Sequence, residues 1–186
     1  MPRSHSPTIT SGRFRGRRLE VPGGQITRPT RSLVRSALFD MMGPAIVGAN
    51  VLDLYSGSGA LGLEALSRGA RKVSFVENHR RVLGVLKGNI ASCGVEPEEM
   101  ALVPMDATRW EPVGDDPIDV VQADPPFALV DALPPALERP GVLAEDAILI
   151  FHAPAERAIV DVGPGWVLDR TRHYGRSAVH LFYRED

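Results

Sequence analysis

Val51-Leu52-Asp53-Leu54-Tyr55-Ser56-Gly57-Ser58-Gly59-Ala60-Leu61-Gly62 decides how the rest of the chain folds. A short apolar run passes through turn residues and three glycines into a helix-forming stretch. Glycines at such a strand-to-helix bend let a ligand approach the backbone. Downstream the same rhythm repeats. Ala60–Ser67 reads as a helix stopped by Gly69, Lys72–Val76 as a strand, and Arg80–Ser92 as a helix leaving through Cys93-Gly94. Ala101–Pro104, Ile118–Gln122 and Ala147–His152 read as further strands. Leu129–Glu138 reads as a helix broken or begun at Pro134-Pro135. Trp166–Arg170 and Ala178–Tyr183 pair through a turn near Tyr174-Gly175. Strands alternating with helices imply an α/β class: a doubly wound, mainly parallel, Rossmann-like sheet closed by a C-terminal antiparallel pair.

Upstream the style changes. Thr8–Gly12 and Arg17–Val21 read as a short hairpin ended by Pro22-Gly23-Gly24. Thr30 is placed to cap a helix with Leu33, Val34, Ala37, Leu38, Met41 and Met42 on its apolar face, and with Arg31 and Arg35 together on the other. The expected division is a hairpin-and-helix extension over residues 1–45 and a larger domain over residues 46–186. The net charge of −2 hides an asymmetry: residues 1–40 carry eight arginines and two acids, a net +6, which leaves −8 for the rest. A basic segment on an acidic body fits an arm that touches phosphate, with Arg13, Arg15, Arg17, Arg18, Arg28, Arg31 and Arg35 as the candidate contacts. A solvated basic tail is the plainer alternative.

Composition excludes other classes. At 186 residues, with 44% hydrophobic and 24% charged, the chain is globular and neither disordered nor collagen-like. No apolar run approaches the ~18 residues of a membrane span, and residues 1–18 lack the apolar stretch of a secretory signal. A single cysteine, Cys93, excludes an internal disulfide and a cysteine-built metal cluster. The expectation is a soluble cytoplasmic protein with no membrane partner and no metal.

Two acids near the glycine loop separate the cofactor classes. Gly57-x-Gly59-x-x-Gly62, with Glu77 twenty residues past Gly57, fits a dinucleotide site whose pyrophosphate rests on the helix N-terminus. Asp53 argues against it, because a carboxylate at that strand tip repels a pyrophosphate. The same carboxylate suits S-adenosylmethionine, which carries an ammonium and a sulfonium, and Glu77 suits its ribose hydroxyls. Asn78 either assists at the ribose or caps the following helix.

The second constellation is Asp124-Pro125-Pro126-Phe127, at the end of an apolar strand. In an open parallel sheet the carboxyl ends of neighbouring strands share a crevice, so Asp124 is expected beside the glycine loop. The prolines stiffen the turn and leave its carbonyls as acceptors. A carboxylate, a carbonyl and a flat aromatic suit a planar base with an amino group: two acceptors for its N–H bonds and a ring to stack on.

These residues resemble S-adenosylmethionine-dependent amino-methyltransferases with an Asp/Asn-Pro-Pro-aromatic motif. Residues 9–19, 28–39 and 56–69 narrow the resemblance to the bacterial 16S ribosomal RNA guanine-N2 methyltransferases, the RsmD family, over about residues 8–184. Ser32 and Ser36 depart from the acids of that family's Arg-Pro-Thr helix. The resemblance implies methylation of one guanine in small-subunit RNA, on assembled or nearly assembled subunits, by a monomer. It assigns the methionine part of the cofactor to Asp53 and the loop residues Tyr55, Ser56, Gly57, Ser58 and Gly59. It gives Glu77 the ribose, with Asn78 beside it as a candidate, and Asp106 with Ala107 the adenine edge. Asp124, Pro125, Pro126 and Phe127 become the catalytic set, with Asp124 also touching the cofactor.

His152 reads as a packed histidine at the end of a core strand, and Cys93 as a packed thiol. His173 and Arg176, in the last turn, stay open between surface and substrate roles. Rival readings are a DNA adenine or cytosine amino-methyltransferase, a protein glutamine methyltransferase, and an RNA-binding protein on a decayed enzyme fold.

Overall fold

In the computed structural model, which describes residues 6–23, 32–125, 133–156 and 162–185, seven strands form one sheet. The elements are α1 (Ser32–Met42), β1 (Asn50–Leu54), α2 (Ala60–Ser67), β2 (Lys72–Val76), α3 (Arg80–Cys93), β3 (Met100–Val103), β4 (Ile118–Ala123), β5 (Leu143–Pro154), β6 (Trp166–Tyr174) and β7 (Ser177–Arg184). Their order across the sheet is β3-β2-β1-β4-β5-β7-β6, with the first five parallel and β7 antiparallel to both its neighbours. The expected fold class holds. Apolar clusters cover both faces, which is why β1 is buried at every position and reads as a continuous apolar run.

Two expectations are corrected. Residues 129–132 of the expected Leu129–Glu138 helix lie outside the described residues, and only a single 3-10 turn, Pro135–Glu138, is helical in the rest. Pro134 before it is extended and Pro135 opens it, so the proline pair limits the helix rather than extending it. β5 begins at Leu143, four residues earlier than expected, because its exposed Glu145-Asp146 stretch hides the strand from an apolar pattern.

The N-terminal hairpin is minimal. A single antiparallel bridge joins Thr8 to Arg18, supported by Ile9 N–H to Arg17 O at 2.9 Å and Leu19 N–H to Pro7 O at 2.8 Å. Ile9, Phe14 and Leu19 are buried in the same cluster as α1 and α2, so this arm is packed on the sheet domain. Gly12 sits at φ +76, and a Cβ there would lie 1.6 Å from the Ser67 carbonyl oxygen, so no larger residue permits this docking.

A buried carboxylate locks the arm. Glu64 of α2 is fully buried; it accepts from Thr10 N–H (2.8 Å), Thr10 Oγ1 (2.6 Å), Ser11 N–H (3.1 Å) and Arg68 Nε (2.9 Å). It also pairs with Arg35 Nε at 3.4 Å, and Arg35 donates to the Thr8 carbonyl. Arg35 is therefore not on a solvent face beside Arg31, as the helical pattern implies. It is 0% exposed, while Leu33, expected in the core, is 71% exposed. A buried carboxylate demands a cation, and that demand turns Arg35 inward.

Removing one member of such a cluster leaves its partners charged and dry. Glu64→Ala is expected to cost about 3–5 kcal/mol of stability and to open residues 6–19 to proteolysis, read by chemical denaturation and limited digestion. A cost below about 1 kcal/mol, typical of a solvated pair, would contradict the lock.

Candidate active site

Three acids line the carboxyl ends of β1, β2 and β3. Asp53 is the fourth residue of β1, Glu77 directly follows β2, and Asp106 lies three residues past β3. Asp53 is 1% exposed, and its Oδ2 accepts from the Gly62 N–H at 3.1 Å. It thus sits beneath the glycine loop, tied to the first turns of α2. Burial pushes its carboxyl up to about 7, with the charges of Asp124 and Glu77 adding and the Gly62 hydrogen bond opposing.

The loop is shaped for close approach. Gly59 caps α2 at φ 81, and a Cβ on it would lie 2.4 Å from Leu86 Cδ1. At Gly62 a Cβ would meet Phe75 at 2.3 Å and Asp53 Oδ2 at 2.8 Å, so this glycine is needed for helix-on-sheet packing. Tyr55 holds φ 60, a left-handed conformation rare for a bulky residue and concentrated at functional sites. Burial, with the Asp106 charge, lifts its phenol to about 12, so it stays neutral. Ser56 and Ser58 are buried; Ser56 N–H donates to Val76 O at 2.9 Å and its hydroxyl to Asp53 O at 2.7 Å.

Glu77 grips the loop from the second strand. Its Oε2 accepts from Gly57 N–H at 3.0 Å and its Oε1 from His79 N–H at 2.8 Å. His79 holds the cap position of α3, so the capping role offered for Asn78 falls away and Asn78 is exposed beside Glu77. Asp106 is exposed and caps the turn Ala107–Arg109 by accepting from Thr108 N–H at 2.9 Å, which holds its carboxyl below the usual range; Ala107 is buried. This acidic rim would repel a pyrophosphate, whereas it fits a cation bearing ribose hydroxyls and an amino group. The residues present therefore suit S-adenosylmethionine better than a dinucleotide.

Asp124 and Pro125 follow β4 immediately. β4 lies directly beside β1, with Asp53 opposite Gln122 and Leu54 opposite Ala123, so Asp124 stands next to the glycine loop. Its side chain is 23% exposed, and Oδ1 lies 2.6 Å from His152 Nδ1 of β5. Burial lowers the His152 ring, but the hydrogen bond and charge of Asp124 outweigh it and hold the ring above the ordinary histidine value. Pro126 and Phe127 lie outside the described residues. So do Arg28 and Arg31 of the basic set, whereas Arg13, Arg15, Arg17 and Arg18 are exposed on the arm. Arg13 reaches Glu99 at 2.7 Å.

Sequence reasoning misses three polar residues of this region. His152 reads as simple packing; its place at the end of the strand after the Asp-Pro-Pro strand is the available signal. Asn89 of α3 is buried and joins the arm to the loop, donating to Glu20 O at 2.9 Å and Ser58 O at 2.8 Å while accepting from Glu20 N–H. No motif marks it. Gln122, 0% exposed, hides inside an apolar strand. At the β5–β7–β6 edge of the sheet, Ala155 N–H donates to Arg176 O at 3.1 Å, which brings the turn with His173 and Arg176 to the same end of the sheet as Asp124.

Known proteins resemble the chain in sequence and in fold. A family described as "Conserved hypothetical protein 95" matches residues 8–183. The Escherichia coli K12 protein named "Ribosomal RNA small subunit methyltransferase D" is 36% identical over 179 residues, covering 95% of this chain and 89% of that protein. A Haemophilus influenzae protein of the same name is 37% identical over 121 residues, 64% of this chain and 63% of that one. The solved structure of the Escherichia coli protein yhhF superposes with a TM-score of 0.83 at 34% identity, covering 97% of this chain and 98% of that one. With the family match running through nearly the whole sequence, the chain belongs to the ribosomal RNA small subunit methyltransferase D family.

Proposed function

We propose that the protein transfers a methyl group from S-adenosylmethionine to the exocyclic N2 amine of one guanine in 16S ribosomal RNA, acting in the cytoplasm as a monomer on assembled or nearly assembled small subunits. The observation that carries this reading is the placement of Asp124-Pro125 beside the acid-rimmed glycine loop, across the β1–β4 pair. The family's printed name supports the substrate class.

When bound, S-adenosylmethionine supplies an electrophilic methyl group on a positively charged sulfur. Asp53 faces that charge from beneath the loop. Glu77, with Asn78, accepts from the ribose hydroxyls, and Asp106 with the Ala107 backbone meets the adenine edge. Tyr55, Ser56, Gly57, Ser58 and Gly59 shape the wall between them. A guanine amine is a poor nucleophile because its lone pair is delocalised into the ring. Asp124 and the Pro125 carbonyl accept its two N–H bonds, which draws the pair back onto nitrogen and aims it. Phe127 stacks on the base, and Pro126 stiffens the turn. Once nitrogen carries a fourth bond its proton is acidic, and the Asp124 carboxylate is placed to receive it. The chemistry needs neither a metal nor a covalent enzyme intermediate; Cys93 is buried at the end of α3.

The arm of residues 1–45 serves as the RNA contact. Arg13, Arg15, Arg17 and Arg18, with Arg28 and Arg31, meet phosphates; Arg35, locked on Glu64, does not. A DNA amino-methyltransferase would share the Asp124 chemistry, but the short basic arm favours an RNA already folded over a duplex that needs a large recognition region. An RNA-binding protein on a decayed fold would not need Asp53, Glu77 and Asp124 assembled together.

Asp124→Ala is expected to lower methyl transfer to undermethylated small subunits by about 10²–10³, the scale of one well-aimed electrostatic interaction, with cofactor affinity little changed in calorimetry. A near-wild-type rate would remove Asp124 from the chemistry. A second test uses pH. Asp53 holds a proton up to about 7 in the free protein. A cation placed against it favours the ionised form, so binding below that pH must expel the proton. Cofactor affinity should rise with pH by up to about tenfold per unit and flatten above pH ~7; Asp53→Asn should abolish the rise. A pH-independent wild-type affinity would contradict it. For the arm, changing Arg15, Arg17 and Arg18 together to alanine should lower the salt slope of subunit binding by about 0.7–0.9 for each phosphate no longer neutralised, with cofactor binding intact. An unchanged slope would return the arm to a solvated role.

A further inference from the structure

β5 brings a histidine against Asp124. His152 is 9% exposed, and its Nδ1 lies 2.6 Å from Asp124 Oδ1. Its Nε2 is buried and has no hydrogen-bond partner among the described residues. Within those residues, the bond to Asp124 is what its ring offers in exchange for leaving water.

The register makes the pairing obligatory. β5 runs parallel to β4 with Gln122 opposite Ile150 and Ala123 opposite Phe151, so His152 comes abreast of Asp124 as β4 ends. Ile148 and Ile150 point into the core shared with α1 and α2, and His152 continues that alternating face. A leucine or phenylalanine would fill such a site without an orphaned buried nitrogen. Packing alone therefore does not account for a histidine here.

We propose that His152 is a positioning residue for methyl transfer: its Nδ1–H donates to Asp124 Oδ1 and fixes the orientation in which the carboxylate meets the substrate amine. The proposal rests on Asp124 receiving that amine. Held at Oδ1, the carboxylate is restrained from swinging about its Cβ–Cγ bond before the base arrives. In the step itself the amine nitrogen bonds to the methyl carbon as the carbon–sulfur bond breaks, and the bonding pair stays on sulfur. The nitrogen, now cationic, gives one proton to Asp124, which returns it to water as the methylated base leaves. His152 keeps its own proton throughout. Its function is geometric, and either the neutral Nδ1–H tautomer or the imidazolium can serve.

The test compares His152→Leu, His152→Phe, His152→Asn and Asp124→Ala in the full-length protein. Each is measured for kcat and KM on undermethylated small subunits, for S-adenosylmethionine affinity, and for thermal melting. Leucine and phenylalanine remove the donor and fill the space; the asparagine amide donates from near the position of Nδ1. The expected result is a fall in kcat of about 10–100-fold for the leucine and phenylalanine variants, the scale seen when the group that orients a functional side chain is removed. Cofactor affinity and KM should change little, and asparagine should restore most of kcat. A packing role predicts the opposite order, with the apolar variants active and asparagine worst. Wild-type kcat in the folded leucine or phenylalanine variant, with Asp124→Ala inactive, would overturn the positioning role alone. An asparagine variant as slow as leucine would overturn it too. An active Asp124→Ala would overturn the reading on which it stands.

Discussion

The chemistry depends on one constraint: β1 is flanked by β2 on one side and β4 on the other, so the sheet grows in opposite directions from its centre. At such a switch point the loops leaving the two central strands part, and a crevice opens at their carboxyl ends. The pairing of Asp53 with Gln122 then fixes which residues share that crevice. A slip of β1 by one residue against β4 would put Asp53 and Asp124 on opposite faces of the sheet. A one-residue slip of β5 against β4 would likewise break the hydrogen bond between Asp124 and His152. The acid rim, the glycine loop and Asp124-Pro125 therefore stand at the ends of adjacent, hydrogen-bonded strands of one sheet.

The arm is joined to that unit by buried polar groups. Glu64 sits on α2, the helix that the glycine loop opens, and it holds Thr10, Ser11, Arg35 and Arg68 together. Asn89 then links Glu20, at the far end of the arm, to the carbonyl of Ser58 in the loop. Both ends of the segment carrying Arg13, Arg15, Arg17 and Arg18 are thus tied to α2 and to the glycine loop that opens it. Phosphates met by those arginines would be held at a set distance and angle from Asp124.

Much of this is legible in the sequence. The bounds of α2 and β2 can be read directly because Gly59, Gly69 and the charged flanks punctuate them, and the cofactor class follows from the sign of charge at Asp53. What stays hidden is polar and buried. A helical pattern assigns arginine to solvent and so turns Arg35 outward; its partner Glu64 lies 29 positions away and gives no local sign. His152 and Gln122 sit inside apolar runs where periodicity sees a core strand. Such residues are recognised by what lies across the sheet, and strand pairing is a tertiary fact. The helix expected over residues 129–138 fails for a local reason, since Pro134 and Pro135 limit it to one turn in the described part.

Mass mapping of methylated nucleosides in small-subunit RNA puts the assignment of substrate and catalytic residue to the sharpest test. Undermethylated subunits would be incubated with the protein and labelled S-adenosylmethionine, digested and compared with untreated subunits. The expected result is a single new site, an N2-methylguanosine, which does not form when Asp124→Ala replaces the wild type. Label on adenine or cytosine amines, on ribosomal protein, or on no nucleoside at all would contradict it.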